Sequence, residues 1–133
     1  MVIESVPALV SKDIASVYSF LTNIQHLKFL LPEDKISDWN ADEYSCSFKI
    51  QGGIIIPLVM KEQLPFHQIQ MVSGVKSPFP FTLTVFLEEE GANTRGKLVF
   101  DTKVGKTIQL IAQKPLRNLF DSMSQRLAKH FEQ

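Results

Sequence analysis

A chain of 133 residues with 14 basic and 14 acidic side chains carries no formal net charge. That balance, without a long run of either sign, argues against nucleic acid or an anionic membrane surface as the main partner. The single cysteine, Cys46, excludes an internal disulfide and fits a reducing compartment.

The length suits one domain, residues 1–133, able to bury roughly 65 to 70% of its unfolded surface. Val2 to Val10 is short, β-branched and interrupted by Pro7, which fits an edge strand. Ser11 offers a side-chain cap, and Ile14, Val17, Tyr18 and Leu21 then repeat with helical spacing. A second short apolar cluster, from Ile24 to Leu31, is stopped by Pro32, so two short helices are expected in succession.

From Lys35 to Val104 the apolar period changes from 3.6 to 2. Ile36 and Trp39 begin this strand-forming region. Tyr44, Cys46, Phe48 and Ile50 alternate with Ser45, Ser47 and Lys49. After Gly52 and Gly53, Lys61 favours an inward set of Ile54, Ile56, Leu58 and Met60, and Pro57 suggests a bulge or an edge position. His67, Ile69 and Met71 share one face of the next strand. The Pro78-Phe79-Pro80 loop leads into Phe81, Leu83, Val85 and Leu87, alternating with Thr82 and Thr84. Glu88 to Asn93 reads as a hairpin connection, and Leu98, Phe100, Thr102 and Val104 line one face of the last strand.

The run from Thr107 to Phe131 is an amphipathic helix. Ile108, Ala112, Leu116, Leu119, Phe120, Met123, Leu127 and Phe131 fall on one stripe at 100° per residue. The stripe holds its register across Pro115, which predicts one helix with a kink. Gln109 and Gln113 also fall on the apolar side and need partners there. Leu119 to Phe131 are expected to anchor a sheet, and Ile108 to Leu116 to wall a binding site.

Signatures of catalysis are scarce. The sequence holds no glycine-rich phosphate loop, nucleophile elbow or Cys-x-x-Cys pair. His26, His67 and His130 lack the short spacings of metal sites, so neither a metal nor a cofactor is expected. Glu33 and Asp34 read as solvated carboxylates, and His67 is the one weak candidate for an acid or base. The first residues show no basic segment followed by a long apolar core, and no stretch approaches a membrane span, so a soluble cytoplasmic protein is expected, with no integral membrane association.

Several of these patterns together are similar to the START and Bet v 1-like superfamily, also described as SRPBCC or polyketide cyclase-like proteins. They are the first strand leading into Ser11-Lys12-Asp13-Ile14, the stretch ending Leu30-Leu31-Pro32, and Phe48 to Gly53 before an apolar strand. Pro78-Phe79-Pro80-Phe81 and Val104-Gly105 before the last helix complete the set. The resemblance covers the whole chain and implies an α+β helix-grip fold. In that fold a seven-stranded antiparallel sheet curves around a long C-terminal helix, with two short helices between strands 1 and 2.

It also implies a hydrophobic cavity between sheet and helix. The residues expected to line it here are Phe48, Met60, His67, Met71, Phe81, Leu83, Phe100, Gln109, Ala112, Gln113, Leu116 and Phe120. The leading expectation is non-catalytic binding of a small hydrophobic, lipid- or polyketide-like molecule. A cyclase or dehydratase using an inward His67 is the alternative. A third reading is a protein-interaction module of the Hsp90-activator kind, with Val99, Phe86 and Ile55 facing outward. The sequence leaves both a monomer and a weak dimer open.

Overall fold

The computed structural model describes residues 1–132. Eight antiparallel strands form one sheet: β1 (Val2–Glu4), β2 (Ala8–Val10), β3 (Ser37–Ala41), β4 (Ser45–Lys49), β5 (Ile55–Leu64), β6 (Gln68–Ser73), β7 (Phe81–Glu90) and β8 (Asn93–Thr102). Helix α1 (Ile14–Leu21) and a 3-10 helix (Ile24–Leu30) follow β2, and the long helix α2 (Lys106–His130) closes the chain. This is an α+β, helix-grip-like arrangement of an open antiparallel sheet with a long C-terminal helix.

The strand order is β1-β8-β7-β6-β5-β4-β3, and β2 also pairs with β8. The expected count of seven becomes eight because the first strand is broken. Val2 to Glu4 pair with Val99 to Asp101, and Ala8 to Val10 pair with Thr94 to Gly96. Between them Ser5 replaces a backbone partner with its side chain: its N–H donates to the Leu98 carbonyl, and its Oγ accepts from the Leu98 N–H at 3.0 Å. The broken segment is fastened to α2. Asp121 accepts from the Val6 N–H at 2.8 Å, and the buried Ser124 hydroxyl donates to the Val6 carbonyl.

Two local expectations shift. Asp13, not Ser11, caps α1, because its carboxylate accepts from the Ser16 N–H at 3.0 Å. Pro57 lies in β5, between β4 and β6, opposite Ser47 and without a bulge; the register shift falls between Met60 and Glu62 instead. The proline is tolerated there because its carbonyl accepts from the Gly74 N–H. Its nitrogen therefore faces the same side, just where β6 has ended at Ser73, so the one bond it cannot return to Gly74 falls at the end of the ladder.

One core joins the sheet to α2. Phe48, Ile56, Leu58, Ile69, Met71, Leu83 and Phe100 from the strands meet Leu116, Phe120, Met123 and Leu127 from the helix, all 2% exposed or less. The period-2 and period-3.6 patterns of the sequence account for this set directly. Helix α2 runs unbroken through Pro115.

Candidate functional site

The centre of the grip is filled by aromatic side chains. Phe100 stacks on Phe120 with ring centroids 5.1 Å apart, and Phe81 lies 4.9 Å from Phe100 on its other flank. Phe48, Met71, Phe81, Leu83, Phe100, Leu116 and Phe120, all expected to line a cavity, are buried among their neighbours and belong to the packed core. Interiors close to crystal density leave no room for a ligand at such a point.

The space lies nearer the end of the molecule. A cleft of about 340 Å³ opens between the first turns of α2 and two loops, lined by Gly52, Gly53, Ile54, Ile55, Lys76, Pro78, Phe79, Ile108, Ile111 and Ala112. Each wall has a local cause. Gly52 and Gly53 adopt φ of 85° and 75° in succession, a left-handed turn that side-chain-bearing residues resist. That turn lets the Ile50 N–H reach the Ile54 carbonyl at 2.9 Å and folds β5 back along β4. The opposite loop is pinned at both ends, by Gly74 N–H on the Pro57 carbonyl and by Thr102 Oγ1 on the Pro80 carbonyl at 2.6 Å.

Inside that loop Ser77 donates its hydroxyl to the Phe79 carbonyl and points the Phe79 ring inward, 7% exposed. There it meets Phe81 and Phe100 edge-on, at centroid distances of 6.2 and 6.5 Å. Phe79 therefore floors the cleft, Ile108 and Ala112 form the helix wall, and Lys76 is the one ionisable group in the lining. Such a surface can hold an apolar body by excluding water, with Lys76 available to a polar or anionic end.

Of the residues expected at a binding site, Ala112 alone lines this cleft. Gln109 is half-buried and uses its amide locally, donating to the Val104 carbonyl at 3.1 Å, and Gln113 is exposed. Met60 is half-buried and Tyr44 is 65% exposed. His67 departs furthest from expectation. Phe66 takes φ of 66°, and the turn from Pro65 to His67 ends before β6 starts at Gln68, so the alternation that would carry His67 inward has not begun.

His67 instead borders a larger recess of about 650 Å³ on the outer side of the sheet, beside Glu4, Phe86, Glu88, Arg95 and Lys97. That recess is lined by exposed charged side chains of both signs, including the Lys97–Glu4 pair at 3.2 Å. Its volume exceeds that of the cleft, but charged walls already solvated by water offer an apolar ligand little gain. Phe86 is 43% exposed there, paired across the strands with Gln68 and Lys97; Val99 is half-buried, and Ile55 is half-buried and belongs to the cleft. The outward apolar residues are thus scattered.

Other chemistry-bearing groups lie apart from the cleft. Cys46 is buried, and desolvation, with the Asp42 charge second, pushes its thiol up to about 12, so it is a small core residue and not a nucleophile. Among the described residues no cluster of His, Cys, Asp or Glu could hold a metal ion, and no helix is long and apolar enough to cross a membrane.

No family model matches the sequence, and no curated protein matches it. Solved structures do resemble the fold. The KanY protein superposes with a TM-score of 0.80 at 15% identity, over 100% of this chain and 98% of its own. XoxI from Bacillus cereus gives 0.73 at 12% identity, covering 97% and 95%. TTHA0849 from Thermus thermophilus gives 0.73 at 13%, covering 98% and 97%. At these identities the likeness is one of fold, over essentially the whole length of each chain.

Proposed function

We propose that this chain is a START/Bet v 1-like binding domain that takes a small hydrophobic molecule, lipid- or polyketide-like, without chemical turnover. The observation that carries this reading is the cleft walled by Ile108, Ala112 and Phe79 at the open end of the grip. Its volume lies at the lower end of the roughly 300–1,000 Å³ usual for small-molecule sites. A ligand burying about 250 Å² of apolar surface there gains about 6 kcal/mol from water release, at roughly 25 cal/mol per Å². The cost of association reduces that to modest affinity.

The likeness of fold to helix-grip structures supports the same reading, as do the lack of a paired acid and base in the cleft lining and the placement of His67 outside it. The test is titration with a fluorescent apolar probe, together with native mass spectrometry of the purified protein. We expect one equivalent of probe, or a co-purifying apolar mass. Ile108 is 40% exposed, so Ile108→Asp should preserve the fold while weakening the probe about tenfold or more, the scale of an unpaired charge placed against an apolar ligand. Probe binding that is indifferent to Ile108→Asp would sink the assignment.

A further inference from the structure

Ten residues line the cleft, and Lys76 is the only one of them whose side chain carries a polar atom. Several of the backbone groups there are already committed. The Ile54 carbonyl accepts from the Ile50 N–H, the Gly53 N–H donates to the Ile50 carbonyl, and the Phe79 carbonyl accepts from the Ser77 hydroxyl. Gln109, next to Ile108 on α2, gives its amide to the Val104 carbonyl. A ligand hydroxyl or carbonyl pressed against Phe79 and Ala112 would therefore leave water and meet no side-chain partner.

Polarity is also graded with depth. Phe79 is 7% exposed and Ala112 2%, whereas Lys76 is an exposed residue at the mouth. Lys76 borders a second recess that Asp42 also lines, yet its ammonium has no carboxylate within ion-pair distance. The ion pairs among the described residues are Lys49–Asp38, Arg95–Glu90 and Lys97–Glu4. Asp42 turns its own oxygens onto Tyr44 and Ser45.

We propose that the cleft selects a hydrocarbon carboxylate, with one anionic head held by Lys76 at the mouth and an unsubstituted apolar body against Phe79, Ile108 and Ala112. This rests on the cleft being the ligand site and names the class of ligand it takes. Of a lipid-like and a polyketide-like body, the oxygen-rich one is the poorer fit, because its polar groups find no partners inside. A head kept at the exposed mouth retains part of its hydration, so the pairing avoids the cost of burying a charge. One lysine matches one charge. A phosphate dianion asks for a second cation or an arginine fork, and neither lines the cleft.

The test is calorimetric titration of the full chain with decanoate, decanol, decylamine and ω-hydroxydecanoate. We expect decanoate to bind about fivefold tighter than decanol, the upper scale of an exposed ion pair, and decylamine to bind more weakly than either. The ω-hydroxyl, carried to the deep end, should weaken binding about tenfold. Lys76→Gln should bring decanoate down to the level of decanol and leave decanol unchanged, and Lys76→Arg should keep the preference. The site is exposed, so both variants should melt with the wild type. Three results would overturn the proposal: decanol binding as tightly as decanoate, a preference for decanoate that survives Lys76→Gln, or ω-hydroxydecanoate binding as tightly as decanoate. Each can occur while the apolar probe still binds and still responds to Ile108→Asp, so the ligand class can fail with the cleft assignment intact. Loss of the probe together with all four ligands would defeat both.

Discussion

Asp42 governs more of the chain than an exposed side chain usually does. Its carboxylate accepts from the Tyr44 N–H at 2.9 Å and from the Ser45 N–H and hydroxyl at 2.8 and 2.9 Å. These bonds, the Tyr44 amide first, hold its pKa below the ordinary aspartate value of 3.8. A carboxylate depressed in the folded state stabilises fully above the unfolded value and loses that contribution as pH falls through the folded one. Asp42→Ala should therefore lower the thermal midpoint at neutral pH, and the gap to wild type should close in strong acid, as melts across the acid range would show. The same turn explains why Tyr44 escaped sequence reading: alternation placed it with Cys46 and Phe48, but its backbone belongs to the turn around Asp42, and the ring points to water. His67 escaped for the related reason that Phe66 occupies the left-handed region, which a bulky side chain does not advertise.

At the scale of the element, α2 has two characters. Its later turns carry Leu119, Phe120, Met123, Ser124 and Leu127, all buried, whereas its first turns carry Ile108, Leu110 and Ile111, all substantially exposed. Pro115 stands between them, with no N–H for the Ile111 carbonyl. Replacing it with alanine restores that donor, and Pro115→Ala should raise stability by about 1–3 kcal/mol in chemical denaturation, up to the full helix-interior penalty of proline. The anchoring half was legible because its stripe repeats at 3.6 residues over four turns. The cleft half was legible only in outline. Ile108 and Ala112 lie on the stripe, but the opposing wall comes from Gly52 to Ile55 and from Lys76 to Phe79, loops whose meeting no periodicity encodes. The strands of β7 and β8 were the clearest of all, since Phe81, Leu83, Val85 and Leu87 alternate without exception and pair in unbroken register from Phe81–Thr102 to Glu90–Asn93.

At the scale of the whole fold, the first two strands are fastened to both β8 and α2. β1 and β2 cover the edge of β8, the Met1 amino group donates to the Thr102 carbonyl at 2.6 Å, and Val6 is held by Asp121 and Ser124. Deleting residues 1–10 should leave β8, with Leu98 and Phe100 on its inner face, as an open edge beside an uncovered stretch of α2. Exposed edges of that kind recruit other chains, so size-exclusion chromatography should show the shortened chain as oligomers or aggregate while the intact chain elutes as a compact species.

The stitching of Ser5 to Pro7 onto β8 and α2 also sets a clock on biosynthesis. Met1 and Thr102 are 101 residues apart, and Val6 and Ser124 are 118 apart. At about 5–20 residues per second, the ribosome needs roughly 5 to 25 seconds after β1 emerges to supply the partners that will hold it. Through that interval β1 and β2 have Ile3, Ala8 and Val10 made but nowhere to bury them, which is the window in which a chaperone would find this chain.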